Sequence, residues 1–149
     1  MIGPFDNEYR WLSNFYPSKV VFGGKEYKSV EHAFQAAKTL DDKDREWIAS
    51  AIHPGEAKKR GKCVILREDW EDVKDDVMWV CLQSKFSNIA LKKKLLNTGD
   101  EELVEVNWWK DRYWGVCDGV GENKLGKLLM RLREELRNDR SSGGLCHGA

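Results

Sequence analysis

What this chain of 149 residues lacks narrows its chemistry first. No apolar run approaches the length of a membrane span, and Met1-Ile2-Gly3-Pro4 opens no signal peptide, so a cytoplasmic protein without a membrane partner is expected. The four cysteines, Cys63, Cys81, Cys117 and Cys146, lie far apart and form no C-x-x-C pair. Reduced thiols are the expectation from that spacing. The three histidines are equally scattered, which offers no zinc ligand set, and neither metal nor other cofactor is expected. Net charge is also missing, with 25 Lys and Arg against 25 Asp and Glu. A protein that tracks along nucleic acid carries a basic surplus, so the balance argues for a small or exposed ligand.

Aromatic side chains, by contrast, are plentiful. Seven tryptophans are present, three of them in "NWWKDRYWG" at 107–115. Trp most often fills cores, yet it is also the side chain best suited to stack on a flat base. The basic runs "KKRGK" at 58–62 and "KKK" at 92–94 are expected to be solvated helix faces.

Periodicity predicts an α+β domain, mostly helical with a small β element. "KVVFGGKEYKS" has the pattern of a hairpin turning at Gly23-Gly24. Helices are expected from Ser29 to about Lys38, from Asp42 to Ile52, and after Pro54. A further helix is expected from Asp69 to Phe86, with Trp70, Val73, Val77, Val80 and Ser84 as its stripe. Others are expected over Ile89–Leu96 and from Lys124 to Arg137, with Leu125, Leu128, Leu129, Leu132 and Leu136 inward. "ELVEV" at 102–106 is a strand candidate. The domain is expected over 1–138, followed by a disordered tail at 139–149.

Three stretches carry candidate chemistry. In "SVEHAFQAAK" (29–38), Ser29 is a plausible N-cap, and Glu31, Gln35 and Lys38 form one polar stripe. That stripe is either an exposed face with a charge favoured by the helix dipole, or a carboxylate on a rigid element facing a cleft. In "RWLSNFYP" (10–17), Asn14 among Trp11, Phe15 and Tyr16 makes either an anchored turn or a platform for a base. In "GVGENKLGKLLM" (119–130) the pattern G-x-x-x-x-G-K approaches a P-loop, but Leu128 stands where Ser or Thr must hold Mg²⁺. Asn123 suits an N-cap, and Gly119 and Gly121 suit a backbone nest for phosphate. Gly126 in the first helical turn implies a close neighbour.

Together "YRWLSNFYP" (9–17), "SVEHAFQAAK" (29–38), "DDVMWVCLQSKF" (75–86) and "YWGVCDGVGENKLGKLLMRLR" (113–133) resemble the NADAR domain family, also called YbiA-like or RibX-like. The resemblance implies an α+β, mostly helical YbiA-like fold. It also implies an N-glycosidase that hydrolyses a ribosyl C–N bond in an ADP-ribosyl or phosphoribosyl substrate. Examples are ADP-ribosylated guanine in nucleic acid and a phosphoribosylaminopyrimidine intermediate of riboflavin synthesis. It places the catalytic carboxylate at Glu31, with His32 and Asp118 as candidate proton donors. Asn14, Phe15, Gln35, Lys38, Trp114, Gly115, Gly121 and Asn123 are implied substrate contacts. Many members have W-G-D-G in the glycine loop, whereas Val116-Cys117 here displaces the acid to Asp118. A non-hydrolytic ADP-ribose or nucleotide reader is the alternative.

Activity should therefore survive EDTA, and the protein should not hydrolyse ATP. Loss of activity with chelator and its return with Mg²⁺ or Zn²⁺ would overturn this expectation.

Overall fold

A computed structural model describes residues 1–147, with side chains described through residue 139. The chain forms two compact units. One comprises Ser13–Lys85, and the other joins Met1–Leu12 to the chain from Phe86 onward.

The Ser13–Lys85 unit begins with the expected hairpin. Strands β1 (Val20–Phe22) and β2 (Lys25–Tyr27) pair antiparallel, Val20 opposite Tyr27. Gly23 and Gly24 take φ of 57° and 77°, the two positive values that a two-residue hairpin turn requires. Helix α1 (Val30–Ala36) packs against β1, β2, α2 (Asp42–Ala49), α3 (Pro54–Gly61) and α4 (Trp70–Lys85). Ser29 caps α1 as expected, its Oγ accepting from the His32 N–H at 3.1 Å. Asp41 caps α2, and Pro54 opens α3 at N1. Phe34 and Trp70 meet edge to face at 5.0 Å between centroids.

Helix α4 departs from its expected stripe. Val77, Met78, Cys81, Leu82 and Lys85 are buried with Trp70, whereas Val80 is exposed. The buried positions 78, 81, 82 and 85 recur at i, i+3, i+4 and i+7, turned relative to the predicted face, while Ser84 of the expected stripe accepts from the Val21 N–H of β1 at 2.8 Å.

In the other unit, a 3-10 helix (Asn7–Leu12) precedes α5 (Ile89–Asn97), β3 (Val106–Asn107), β4 (Val116–Cys117) and α6 (Lys124–His147). Asn88 caps α5, and Thr98-Gly99 ends it with Gly99 at φ 65°. The strand expected over 102–106 shortens to a parallel bridge of Leu103 with Ile2 and the two-residue β3, paired in parallel to β4. Leu125, Leu129 and Leu132 are the fully buried positions of the α6 stripe. Buried Arg133 ties α6 to the end of α5, donating to Thr98 Oγ1 and the Glu101 carbonyl, both at 2.9 Å.

Asn123 does not cap α6 in the expected way. It has φ 51°, and its side chain turns away to serve the neighbouring segment. Its Oδ1 accepts from the Glu105 N–H at 3.0 Å, and its Nδ2 donates to the Leu103 carbonyl at 2.9 Å. The close neighbour of Gly126 is the same segment, since a Cβ there would sit 2.1 Å from the Leu103 oxygen.

Helix α6 runs past Arg137 to His147, into the tail expected to be disordered, and residues 148 and 149 of that tail lie outside the described residues. Cys63, Cys81 and Cys117 are free thiols, while the Cys146 side chain lies outside the described residues. Trp11 and Trp70 are core residues, whereas Trp47, Trp108 and Trp109 are exposed. Among the described residues no helix is long and apolar enough to cross a membrane.

Gly126→Ala should destabilise the protein although Ala is the better helix former. The propensity gain is about 1 kcal/mol, while overpacking against a carbonyl oxygen typically costs about 1–3 kcal/mol or more. Thermal melting should show a lower Tm; a higher one would mean that the Leu103 segment yields easily.

Candidate functional site

The Ser13–Lys85 unit gathers six of the expected site residues around α1. All seven residues of α1 are buried, so of the expected polar stripe only half-buried Lys38, just past α1, reaches solvent. Glu31 is 7% exposed and Gln35 3%. A carboxylate that has left water needs donors and opposite charge. Gln35 Nε2 donates to Glu31 Oε1 at 3.3 Å, and the Lys38 ammonium lies within its field. Half-buried Lys38 also lies over the Phe34 ring at 5.8 Å. Burial lowers the Lys38 pKa, the Glu31 charge raises it, and Lys58 and Lys62 lower it again.

The 13–16 turn lies against the start of α1. The Glu31 N–H donates to the Asn14 carbonyl at 3.1 Å, which fixes Asn14 beside the carboxylate-bearing turn. The Ser13 carbonyl accepts from the Tyr16 N–H at 3.1 Å and from Lys85 Nζ at 2.8 Å. Asn14 Nδ2 contacts the Met78 sulfur at 3.6 Å, and its buried Oδ1 has no partner within the protein. An orphan buried acceptor is costly and points to a donor supplied from outside. Phe15, next in sequence, is 43% exposed and free to offer a ring face.

Three residues that bear on Asn14, Ser13 and Glu31 are not among the site groups expected from the sequence. Met78, Cys81 and Lys85 belong to the quoted "DDVMWVCLQSKF" and share the buried face of α4. The available signal was a lysine at helical spacing on an apolar stripe. Burial first, then the Glu31 charge, pushes the Cys81 thiol up to about 12, so it stays protonated and adds no second anion. Lys85 is fully buried, with Nζ 5.7 Å from the centre of the Tyr16 ring, and burial brings its pKa down to about 7.

His32 departs from its expected role as proton donor. The ring is 1% exposed. Nε2 must donate to the Ala51 carbonyl at 2.9 Å, because a carbonyl only accepts, and Nδ1 then faces Ser29 Oγ at 2.7 Å. Both nitrogens are engaged in holding the 29–51 region together. Burial, the largest cause, lowers the pKa and keeps the imidazole neutral. His32 is a latch of the scaffold.

The remaining expected residues belong to the other unit. Half-buried Trp114 packs edge to face on Tyr113 at 4.8 Å. Asp118 is an exposed carboxylate at φ 53°, 3.6 Å from Arg112, with no burial to poise it for acid catalysis. After the glycine loop, the chain entering α6 is held by backbone bonds. The N–H groups of Glu122, Asn123, Lys124 and Leu125 donate to the carbonyls of Arg112, Gly115, Tyr113 and Trp114 at 2.9–3.3 Å. The first donors of α6, Lys124 and Leu125, are thereby already used. Gly121, at φ 154°, is needed because a Cβ would lie 2.1 Å from the Gly115 carbonyl, and Gly115 because one would lie 2.2 Å from that of Glu105. Both glycines, with Asn123, allow the loop to fold on itself.

A groove of about 760 Å³ beside the hairpin does not include Glu31. Its charges answer one another, Lys19 with Glu26 and Lys25 with Glu46. Among the described residues no group of three or more His, Cys, Asp or Glu side chains is placed to hold a metal ion.

The NADAR domain family model matches residues 2–137, so it spans both units. The chain is 42% identical over 134 residues to N-glycosidase YbiA of Escherichia coli (strain K12), covering 87% of this chain and 83% of that protein. It is 40% identical to an N-glycosidase of Nostoc punctiforme, over 92% of each. It is 38% identical to a riboflavin biosynthesis protein of Vibrio vulnificus, over 89% of this chain but 37% of that protein. The NMR structure of Escherichia coli YbiA matches with a TM-score of 0.83 at 39% identity, over 93% of this chain and 84% of that one.

Lys85 has a consequence for stability against pH. Its folded pKa, about 7, lies below its ordinary value of 10.5. The unfolded chain therefore binds more protons between those values, and stability rises as pH increases through that window. Below pH 7 both states hold the proton, and the burial penalty is present in full. Between pH 7 and 10 the Tm of Lys85→Met should rise less than that of the wild type. Parallel curves would remove the buried ammonium from the account.

Proposed function

The chain belongs to the NADAR domain family and is an N-glycosidase; from that premise we propose that its substrate is nucleotide-like, a ribosyl group carrying phosphate and joined through C–N to a base. The observation that carries this reading is the Glu31 carboxylate, buried in the first turn of α1 beside the orphan Oδ1 of Asn14. Breaking a ribosyl C–N bond passes through an oxocarbenium-like state. A carboxylate held in a poorly hydrated site stabilises that positive charge at little reorganisation cost, or orders the water that attacks it. Gln35 fixes the orientation of Glu31. The protonated Cys81 thiol leaves the carboxylate as the sole negative charge of the pair. Asn14 Oδ1 accepts from an N–H of the departing base, and exposed Phe15 supplies a face for stacking.

The riboflavin-biosynthesis name of one relative supports a phosphoribosylaminopyrimidine as substrate, and the balanced net charge supports a small molecule over a long nucleic-acid strand. The rival reading, a nucleotide reader without turnover, keeps the same residues but leaves Glu31 without a task.

The test is incubation with a phosphoribosylaminopyrimidine, ADP-ribosylated guanine DNA and NAD, with release of free base followed by chromatography. Hydrolysis of the first is expected; binding without release from any of the three would establish the reader instead. Glu31→Gln keeps shape but removes charge, so its single-turnover rate should fall by roughly 10²-fold or more at similar affinity. A Glu31→Gln protein that cleaves at the wild-type rate excludes Glu31 from the chemistry.

A further inference from the structure

The run Lys58-Lys59-Arg60-Gly61-Lys62 was expected to be a solvated face, but α3 brings it against α1. Ala57 and Gly61 are the buried residues of α3, and Gly61 lies close on α1: a Cβ there would lie 2.0 Å from Gln35 Oε1. Lys58 and Lys62, one turn apart, occupy the stripe adjoining Ala57 and Gly61. The contact falls at Gln35, about one turn before Lys38, and both lysines act electrostatically on the Lys38 ammonium.

The arginines of this region have partners. Arg60 pairs with Glu56 at 2.7 Å and Arg67 with Asp69 at 2.6 Å. Exposed Lys59, like its neighbours Lys58 and Lys62, has no ion pair among the described residues. The carboxylate that draws on Lys38 is Glu31. Cations near the end of α3 gain about 0.3–1 kcal/mol from its dipole. The dipole explains their presence on that helix, yet it gives no reason for two of them to flank Gly61, where α3 closes on α1 one turn before Lys38. An anion shared by the three does.

We propose that Lys58, Lys62 and Lys38 form a subsite for the phosphate or diphosphate of the substrate, at the opposite end of α1 from Glu31. The seven positions between Glu31 and Lys38 correspond to about 10 Å along a helix, a span that long lysine side chains shorten. A ribose held between them has its anomeric carbon towards the carboxylate and its 5′ oxygen towards the lysines. This inference rests on the functional reading of Glu31 and adds the group by which the substrate is held.

The test titrates inorganic phosphate and pyrophosphate into the whole chain by calorimetry, using wild type, Lys58→Gln, Lys62→Gln and the double variant. Lys93→Gln, an equal charge change on exposed α5, is the control. Each single variant should weaken pyrophosphate binding roughly three- to tenfold, given partly exposed charges. The double variant should lose more, and the control should bind as wild type. With a phosphorylated substrate, KM should rise while kcat holds. Phosphate bound as tightly as pyrophosphate identifies a monoester, and tighter pyrophosphate identifies a diphosphate. Removing a like charge offsets the lost dipole interaction, so Tm should change little.

Unaltered anion affinity in both lysine variants, equal loss in Lys93→Gln, or a lowered Tm that accounts for the loss would overturn the subsite. Because anion titration needs no turnover, the two readings fail separately. A protein that cleaves nothing but loses anion binding in these variants retains the subsite and loses the N-glycosidase substrate. One that cleaves its substrate with unaltered anion binding does the reverse.

Discussion

A two-turn helix buried on every side, carrying three polar side chains, is the constraint on which the Ser13–Lys85 unit depends. Apolar residues of α1 need only be covered. Glu31, His32 and Gln35 must each find partners, because an unpaired buried polar group costs about 1–3 kcal/mol and a charged one more. That requirement shapes the unit. His32 reaches Ala51 after α2, and Glu31 takes its backbone partner from Asn14. Gln35 gives its amide N–H to Glu31, while its buried Oε1, against Gly61 of α3, has no partner within the protein. Each polar residue of α1 thus positions another element, and what positions those elements also shapes the surroundings of the carboxylate.

Charge is managed locally. The carboxylate of Glu31 has an amide and a lysine nearby, while the closest thiol stays neutral because burial raises its pKa. On the neighbouring turn, Lys85 uses its ammonium to hold the Ser13 carbonyl, and so the turn on which Asn14 stands. The result is a carboxylate and an unpartnered amide oxygen held by separate anchors. Such prior fixing of the groups around a reacting centre is the main source of electrostatic catalysis.

The glycine-rich loop shows how one composition serves a different end. Gly115, Gly121 and Gly126 let main chain meet main chain, and the carbonyls of 112–115 satisfy the first N–H groups of α6. A helix start whose first N–H groups meet backbone carbonyls has fewer donors to offer an anion. The likeness to a P-loop was therefore a likeness of spacing, and the physical need it answered was close packing.

The sequence alone determined whatever follows from neighbours along the chain. Gly23-Gly24 specified the hairpin turn, Ser29 the start of α1, Pro54 that of α3, and Thr98-Gly99 the end of α5. The ordered motifs around Glu31 also sufficed for the family, whose model then matched residues 2–137. What only the tertiary structure decided concerns which groups are left with partners. Nothing local says that both nitrogens of His32 are engaged, that Asn123 serves Leu103 and Glu105 before its own helix, or that Lys85 faces inward. Nor does it say that Lys58 and Lys62 bear on Lys38 across two helices. Helical and strand periods report which way a side chain points; hydrogen bonds and Coulomb forces depend on distances between segments far apart in sequence, and these exist only once the chain has packed.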